Sequence, residues 1–405
     1  MPKVFTHATG CKISYCDTKE AEELFCAAGW EIAKQPEEAD LFLLTACTVT
    51  QKADADLRKA ARQLKNKNPR AELWIYGCWA RVAEKHEPLD RADAVVKSKE
   101  ELEALLAERK GEAQAKPELE RNRIFVKVQD GCDRYCAYCI VPFARGNPRS
   151  MPYEEIKGRV LEAESLGLKE CVLSGIHLAS WRDGEKDIAD LCAALLKDTS
   201  IPRLRISSLD VTGAGEKLRK LMREEKRLMP HLHIPLQSGS DRVLRLMNRP
   251  LERAQLLDAM QAFLTEVPSM MLSTDIIVGF PGETEEDFQE TLSFVKEIPF
   301  GKIHYFPYSP RPGTAAAKRV KDFVPEKVKK EREERLRQAA AEAARICREP
   351  FQGQSFQVLT ETKGPSGWLG FTENYLRVCS KKADLKANEI ATLTIDGKET
   401  EFIPQ

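Results

Sequence analysis

The stretch QDGCDRYCAYCIVPFARG, residues 129–146, places three cysteines within eight positions at the spacing CxxxCxxC. These cysteines are Cys132, Cys136 and Cys139. Three thiols in one loop provide three of the four ligands that a cubane iron–sulfur cluster takes. Zinc is the competing occupant, but structural zinc sites use CxxC pairs and four protein ligands, and no second pair lies nearby. The motif therefore predicts a 4Fe–4S cluster for which this loop supplies three of the four ligands.

The length and composition of the chain indicate a protein of several domains without membrane-spanning segments. A chain of 405 residues exceeds one ordinary core, so two or three domains are expected. No apolar run approaches the roughly 20 residues that cross a bilayer, and MPKVFTHATGCK lacks the layout of a signal peptide. We therefore expect a cytoplasmic protein that does not bind membranes. In that compartment, twelve cysteines favour metal or redox chemistry over disulfides.

Charge does not point to a nucleic-acid partner. The chain has 63 basic and 63 acidic residues, so its formal net charge is zero. From residue 351 onward, six Lys and Arg residues are opposed by seven acidic ones. A surface that neutralises phosphates is expected to carry an excess of positive charge. An RNA partner therefore has to be argued from motifs.

Strand-like and helix-like segments alternate in the first two parts of the chain. The strands expected in the first part are residues 4–7, 41–45 and 73–76, and the alternation predicts a parallel α/β sheet domain over 1–115. The polar, Lys/Glu/Ala-rich residues 108–123 are expected to form a linker.

Six strand and helix units follow and predict a partial TIM-like (β/α) barrel. Its strands are expected at residues 124–128, 171–174, 204–207, 233–235, 273–278 and 303–306. With the charged helix at 325–349, this domain is assigned to residues 120–348. Short strands with Gly-rich turns then predict a small β-barrel of about five strands over 350–405. Together the three domains make an α/β multidomain fold.

A second set of cysteines shares one context. Cys11, Cys47 and Cys78 each follow an apolar strand candidate. The carboxyl ends of parallel strands meet at one edge of a sheet, which is where open α/β sheets bind ligands. The context predicts a second 4Fe–4S cluster at this edge. The other six cysteines are expected to be small buried apolar residues; they are Cys16, Cys26, Cys171, Cys192, Cys347 and Cys379.

The motifs resemble those of a known family. A strand followed by CxxxCxxC with an aromatic residue, Tyr138, before the last cysteine resembles the radical S-adenosylmethionine superfamily. Two three-cysteine sets in this order, with a barrel and a terminal β-barrel similar to a TRAM domain, resemble the methylthiotransferase family. The stretches CTVT, LHIPLQSGSDRVLRLMNR and DIIVGFPGET agree with that resemblance.

The resemblance implies the chemistry and the cofactors. One S-adenosylmethionine would donate a methyl group to sulfur at the cluster of Cys11, Cys47 and Cys78. A second, bound at the Cys132, Cys136 and Cys139 cluster, would be the radical source. The methylthio group would then be transferred to an activated carbon. The reduction requires an electron donor such as flavodoxin or ferredoxin, and the protein is expected to be a monomer.

The substrate branch is predicted from GCKIS, residues 10–14. Its lysine resembles the branch that converts N6-threonylcarbamoyladenosine, next to the anticodon in the tRNA anticodon stem-loop, to the 2-methylthio derivative. Two departures blur this: Ser14 stands at the usual position of asparagine, and Thr45–Ala46 replace the usual Asn-Thr. The alternatives are an isopentenyladenosine in tRNA, an aspartate of a ribosomal protein, or a non-enzymatic iron–sulfur redox carrier or sensor.

Polar residues at strand ends are candidates for contacts with S-adenosylmethionine. We predict these contacts at Tyr138, Ser174, Gly175, Ser208, Asp210, Gln237 and Ser238. Polar residues are also required at strand ends for ordinary turns, so a structural role is the alternative for each. The stretch GFPGET, residues 279–284, is expected to be a strand-to-helix turn capped by Thr284 rather than a phosphate loop.

Overall fold

The structure, a computed structural model, describes residues 1–109, 111, 122–249 and 251–403. These residues form two compact units. The first unit comprises 1–120, 131–147 and 309–318, and the second comprises 121–130, 148–308 and 319–405. Most of the predicted linker at 108–123 lies outside the described residues. The domain boundaries drawn from the sequence therefore stay predictions.

The first unit is built on a five-stranded sheet. Its strands are β1 (Lys3–Thr9), β2 (Glu31–Ile32), β3 (Leu41–Ala46), β4 (Glu72–Tyr76) and β5 (Ala94–Val95). Their order is β2-β1-β3-β4-β5, and every pairing is parallel. The three predicted strands are confirmed. The two edge strands were missed because two residues carry no periodic pattern.

Helices cover both faces of this sheet. They are α1 (Lys12–Ala27), α2 (Gln51–Lys67), α3 (Cys78–Arg81) and α4 (Lys99–Ala107), and α5 (Val141–Arg145) follows the CxxxCxxC loop. Every residue of the central strand β3 is buried, as expected for a parallel strand with helices on both sides. Phe42 and Leu44 pack into one hydrophobic cluster, and Leu41 and Leu43 pack into the other. Alternation along a single strand thus supplies both cores.

The second unit contains the predicted partial barrel. Its strands are β6 (Arg123–Asp130), β7 (Arg149–Ser150), β8 (Glu170–Gly175), β9 (Arg203–Ile206), β10 (His231–His233), β11 (Met271–Val278) and β12 (Lys302–Pro307). Two sheets, β7-β6-β8-β9 and β10-β11-β12, are joined where the Leu209 amide donates to the His233 carbonyl at 2.9 Å. Six of these strands run parallel, and β7 is antiparallel.

The strand expected at 233–235 begins and ends two residues earlier. Residues 231–233 pair with residues 271–273 of β11, whereas Pro235 has no N–H to donate to a ladder.

The helices of this unit are α6 (Tyr153–Ser165), α7 (Ile188–Asp198), α8 (Glu216–Glu224), α9 (Asp241–Leu246), α10 (Arg253–Glu266), α11 (Glu285–Glu297) and α12 (Glu326–Arg348). Among the described residues, none of the helices combines the length and apolar character needed to cross a bilayer.

The turn at residues 279–284 is the predicted strand-to-helix connection. The Thr284 side chain accepts from the Asp287 amide, and the Asp287 carboxylate accepts from the Thr284 amide at 2.8 Å. This reciprocal pair is a capping box for α11.

Five strands follow α12, which is the number expected for the small terminal β-barrel. These strands are β13 (Ser355–Gly364), β14 (Gly367–Thr372), β15 (Arg377–Ser380), β16 (Glu389–Thr394) and β17 (Thr400–Phe402). They form an antiparallel sheet in the order β16-β13-β14-β15-β17. Strand β13 breaks its register with β14 between Thr360 and Thr362, a bulge that bends the strand.

A buried charged layer joins this sheet to the amino ends of the barrel strands. Glu170, the first residue of β8, is fully buried and lies 3.0 Å from Arg205 and 3.2 Å from Arg123. Arg205 also donates to the Glu373 carbonyl at 3.1 Å. Its guanidinium lies 4.5 Å from the Tyr375 ring. The terminal sheet is therefore held by charge-assisted hydrogen bonds as well as apolar contacts.

Two aromatic residues of the terminal sheet belong to this layer. Phe371 and Tyr375 stack on each other with ring centroids 4.7 Å apart. Arg123 lies 5.0 Å from the Phe371 ring. These contacts give both rings a role in packing the terminal sheet against the barrel.

Candidate functional site

The strand register of the first unit brings Cys11, Cys47 and Cys78 to one edge of its sheet. Thr9 is the partner of Ala46 across β1 and β3, and Thr45 is the partner of Tyr76 across β3 and β4. Each cysteine follows its strand by one or two residues. The Cys47 amide donates to the Thr9 carbonyl at 3.1 Å. The three predicted ligands therefore follow the carboxyl ends of three adjacent strands.

Two glycines allow these strand ends to approach each other. Gly10 has a φ of +111°, and a Cβ built on it would lie 2.2 Å from the Cys47 Cβ. Gly77 has a φ of +90°, and its Cβ would lie 3.1 Å from the Ala46 carbonyl oxygen. Such φ values and contacts suit only glycine. A glycine before Cys11 and another before Cys78 thus let both cysteines pack against the segment that carries Cys47.

The three thiols affect one another electrostatically. A hydrogen bond between Cys11 and Cys47 lowers the pKa of Cys11 and raises the pKa of Cys47. Burial raises the pKa of Cys78, and the positive charge of Arg145 opposes that rise. The backbone amide of Val49 donates to the Cys47 thiol. Neighbouring sulfurs with backbone donors are the environment in which iron–sulfur clusters are held.

The CxxxCxxC loop is closed by its own backbone. The Cys132 amide donates to the Gly146 carbonyl at 2.9 Å, and the Cys139 amide donates to the Cys136 carbonyl at 2.9 Å. Gly131 has a φ of +75°, and a Cβ there would lie 2.1 Å from the Asn147 carbonyl oxygen. The loop therefore brings its two ends together at a position that excludes any other residue.

Backbone donors also face the thiols of this loop. The Arg134 amide donates to Cys132, and the Val141 amide donates to Cys139. Burial, together with the charges of Cys136 and Cys132, raises the pKa of Cys139 to about 12 against the opposing effect of the Val141 amide. The three cysteines of the loop affect one another electrostatically, and two of their thiols receive a backbone donor, which agrees with a three-cysteine iron–sulfur ligand set. The residues therefore fit the cofactor that the motif predicts.

Both cysteine sets lie in the same compact unit. Cys78, which begins α3, and Val82, which follows it, form a small buried cluster with Ile140 and Ala144, which follow the CxxxCxxC motif in the sequence. The Arg145 Nε donates to the Cys78 Sγ at 3.0 Å. A second nitrogen of the same guanidinium, Nη2, donates to the Asp17 carboxylate at 2.5 Å.

No pattern in the sequence identified the contact between Arg145 and Asp17. Asp17 lies four residues after Ile13 and four before Ala21, and all three are buried on one face of α1. A carboxylate at an apolar position of a helix is a signal for a buried partner. That signal was present in the sequence, but the identity of the partner was not.

A further missed group surrounds Thr48, the residue after Cys47. Arg311 is buried and donates to the Asp54 carboxylate at 2.5 Å and to the Thr48 hydroxyl at 3.3 Å. The Thr48 hydroxyl also lies 3.0 Å from the Nε2 of His86. The side chain of His86 stacks on Trp79, which follows Cys78. This network braces the segments that carry Cys47 and Cys78.

Six of the predicted cofactor contacts lie in the second unit, at or just beyond the carboxyl ends of barrel strands. Ser174 and Gly175 end β8, Ser208 and Asp210 follow β9, and Gln237 and Ser238 follow β10. Active sites of (β/α) barrels are built at this end of the strands. The predicted position is thus observed for all six, and their role toward the cofactor stays a prediction.

Several of these residues have partners within the protein. Asp210 is buried and lies 3.2 Å from the Nη2 of Arg249. Ser238 accepts from the Ser240 amide at 3.2 Å, and its Oγ lies 3.3 Å from the Thr291 hydroxyl. These contacts give both residues a structural role. Gly175 packs closely as well, since a Cβ there would lie 2.7 Å from Leu178 Cδ2.

Gln237 differs from the other strand-end residues. Its φ is +69°, which is uncommon for a residue other than glycine. Its amide donates to the Asp275 carbonyl at 2.8 Å, and its carbonyl accepts from the Ile277 amide at 2.9 Å. Two hydrogen bonds to β11 thus hold a left-handed backbone at the carboxyl end of the barrel. The seventh candidate, Tyr138, is half-buried in the loop of the first unit.

The half-barrel resembles those of solved radical enzymes. The radical S-adenosylmethionine methyltransferase TsrM from Kitasatospora setae, with cobalamin and a [4Fe-4S] cluster bound, has a similar fold, with a TM-score of 0.55 and 10% sequence identity. The match covers 78% of this chain and 77% of that chain. Residues 126–295 match the Radical SAM superfamily, and residues 3–97 match the Uncharacterized protein family UPF0004. The chain therefore contains a radical S-adenosylmethionine domain.

Two relatives that match nearly the whole chain identify the family of enzymes. The threonylcarbamoyladenosine tRNA methylthiotransferase MtaB of Bacillus subtilis (strain 168) is 31% identical over 98% of this chain and 94% of its own length. The tRNA-2-methylthio-N(6)-dimethylallyladenosine synthase of the same strain is 30% identical over 98% of this chain and 85% of its own length. The chain belongs to the radical S-adenosylmethionine methylthiotransferase family and is a transferase. Enzymes of this family use S-adenosylmethionine and two 4Fe–4S clusters.

Proposed function

We propose that this enzyme converts N6-threonylcarbamoyladenosine next to the tRNA anticodon to its 2-methylthio derivative. The observation that carries the proposal is the presence of two three-cysteine sets in one compact unit, each with backbone donors to its thiols. A single radical-generating cluster would require only one set. Two sets fit an enzyme that both activates a carbon and supplies sulfur.

The six cysteines would hold two clusters. Cys132, Cys136 and Cys139 would bind the one that receives S-adenosylmethionine, and Cys11, Cys47 and Cys78 would bind the other. When bound, the clusters and S-adenosylmethionine supply the one-electron and sulfur chemistry of the reaction. The protein positions the thiols, supplies hydrogen bonds to the sulfurs and excludes water through the buried packing of Cys47 and Cys78.

The strand-end residues would orient the cofactor. Ser208 and Gln237 are stronger candidates for cofactor contacts than Asp210 and Ser238, because the described side-chain contacts of Asp210 and Ser238 are with other residues of the barrel. A buried residue held at a positive φ at a barrel's active end is typical of a functional position. The proposed set of contacts is completed by Tyr138, Ser174, Gly175, Asp210 and Ser238.

The substrate assignment has two supports. The relative named for threonylcarbamoyladenosine matches nearly the whole chain, and GCKIS resembles that branch. Dimethylallyladenosine is the second candidate because the relative named for it is almost as similar.

We further propose that an electron donor such as flavodoxin or ferredoxin reduces the enzyme. The enzyme would act in the cytoplasm as a monomer, and its domains would be residues 1–115, 120–348 and 350–405.

Mass spectrometry of tRNA nucleosides tests the substrate. Total tRNA from a strain that lacks this protein is compared with tRNA from the parent strain and from a strain complemented with the gene. Loss of the methylthio-threonylcarbamoyl nucleoside, restored by the gene, is the expected result. If the methylthio-dimethylallyl nucleoside disappears instead, the second candidate replaces the first. Unchanged amounts of both nucleosides would rule out both of these tRNA substrates and favour the ribosomal-protein aspartate.

A further inference from the structure

Asp17, Arg145 and Cys78 form a buried chain of hydrogen bonds within the first unit. The side chains of Asp17 and Arg145 are 1% and 0% exposed. The guanidinium donates from Nη2 to the Asp17 carboxylate at 2.5 Å and from Nε to the Cys78 Sγ at 3.0 Å. Because the guanidinium is planar, fixing one of its nitrogens on Asp17 fixes the direction of the others.

These hydrogen bonds also connect three segments that carry cysteines. Asp17 lies in α1, which begins directly after Cys11, and Arg145 ends α5, which follows the CxxxCxxC loop. Cys78 begins α3 and packs with Ala144, the residue before Arg145. A change in the position of Arg145 would therefore reach both cysteine sets.

A guanidinium beside a ligand sulfur changes the properties of the metal group on that sulfur. Hydrogen bonds to sulfur and nearby positive charge both stabilise the more negative, reduced state of an iron–sulfur cluster. Groups that hydrogen-bond to a ligand also fix its orientation, and their loss typically weakens metal affinity roughly 10–100-fold. Arg145 meets both conditions with respect to Cys78.

We propose that Arg145 is a positioning residue that holds the Cys78 sulfur for the cluster of Cys11, Cys47 and Cys78 and raises the reduction potential of that cluster. Asp17 orients the guanidinium for this task. The inference rests on the proposed function, since it takes Cys78 to be a ligand. It adds that the radical-cluster loop contributes a residue to the other cluster.

The test uses a variant in which Cys132, Cys136 and Cys139 are all replaced by Ala, so that only the other cluster can form. Iron content and reduction potential are measured by anaerobic reconstitution and by titration followed with electron paramagnetic resonance. Arg145→Gln in this background is expected to lower the potential, by about 59 mV for each tenfold loss in the equilibrium constant for reduction. It is also expected to weaken iron retention against a chelator roughly 10–100-fold.

Two further variants separate positioning from folding. Arg145→Lys keeps the charge and a donor, so its potential should lie between those of the background and Arg145→Gln. Asp17→Asn keeps the shape of the residue but removes the anion that orients Arg145, so it should shift the potential in the same direction as Arg145→Gln. Arg62→Gln, on the exposed face of α2, is the matched control and should leave the potential unchanged. These variants keep the test possible if Arg145→Gln fails to fold.

The outcomes are distinguishable. An unchanged potential and unchanged iron retention in Arg145→Gln, or in Asp17→Asn and Arg145→Lys if the first does not fold, would overturn the inference alone. A lowered melting temperature with an unchanged potential would show a merely structural role and would overturn it as well. A background variant that binds no iron would instead overturn the assignment of Cys11, Cys47 and Cys78 in the proposed function, and the inference with it.

Discussion

Gly10 and Cys47 are packed so closely that a Cβ built on Gly10 would lie 2.2 Å from the Cβ of Cys47. The contact joins the end of β1 to the end of β3, and a φ of +111° at Gly10 turns the chain there. The approach of Cys11 to Cys47 therefore depends on a residue that has no side chain.

Replacing Gly10 by Ala should separate these two cysteines. The added methyl group meets backbone-anchored atoms of Cys47 and also requires an unfavourable positive φ, so the segment has to shift. We expect the iron content after reconstitution to fall toward half that of the wild type, with loss confined to the cluster of Cys11, Cys47 and Cys78. Iron analysis and cleavage of S-adenosylmethionine measure the two clusters separately.

Gly158→Ala is the control for this substitution. Gly158 is exposed within α6, and a Cβ there would meet no atom within 4 Å. The change should leave the iron content unaltered and stabilise the helix by about 0.5–1 kcal/mol. Full iron retention by Gly10→Ala would contradict the role given to the glycine.

Removal of each cysteine set should have a different effect. The wild type is expected to hold about eight irons per chain, from two cubane clusters. Replacing Cys11, Cys47 and Cys78 by Ala should roughly halve the iron while reductive cleavage of S-adenosylmethionine remains measurable. Replacing Cys132, Cys136 and Cys139 by Ala should also halve the iron but abolish cleavage. If either triple variant kept all of its iron, the assignment of that set would be wrong.

Glu170 should be essential to the stability of the second unit. It is fully buried among Arg123, Arg203 and Arg205, and its replacement by Gln removes the carboxylate that these three arginines share, while Arg123 keeps its pair with Glu361. Breaking a buried ion pair in this way typically costs about 3–5 kcal/mol. Chemical denaturation measures the loss. Glu154→Gln is the control, because its carboxylate is exposed and lies 4.0 Å from Lys157, so little change is expected.

The same carboxylate predicts a dependence of stability on pH. Burial raises the pKa of Glu170, but the charges of Arg205 and Arg123 outweigh it and lower the pKa from 4.5 to about 2. A carboxyl whose pKa is lower in the folded state stabilises the protein above its unfolded pKa and loses that contribution as pH falls. The difference in unfolding free energy between wild type and Glu170→Gln should therefore shrink by about 3 kcal/mol between pH 4.5 and 2. A difference that stays constant over this range would argue against the ion pair.

The cap of α11 offers a smaller, local test. Thr284→Ala removes the hydroxyl that accepts from the Asp287 amide and should cost about 1 kcal/mol. Thr284→Ser keeps the hydroxyl and should be nearly neutral. Hydrogen exchange of the first turn of α11 should be faster in the Ala variant than in the Ser variant. Equal exchange rates in the two variants would show that the capping box contributes little.

Local patterns in the sequence predicted most of the architecture. The run LFLLTA is apolar at every position except Thr45, which suits a central parallel strand with helices on both faces, and β3 is that strand. The strand-then-cysteine context predicted that Cys11, Cys47 and Cys78 would reach one edge, because parallel strands share the direction of their ends. The predictions failed at short elements such as β2 and at the end of β10, where two or three residues carry too little periodicity.

Contacts between distant residues were decided only by the tertiary structure. Arg145 and Cys78 are 67 positions apart, and no spacing rule relates them. Packing of the terminal sheet on the barrel likewise decides the surroundings of the ion pairs of Glu170 with its three arginines. The same packing places the stacked rings of Phe371 and Tyr375. The sequence by itself determined which residues carry thiols and where the longer strands lie. Tertiary packing determined which charges face those thiols and the core, because such pairs form only when separate elements bury a shared surface.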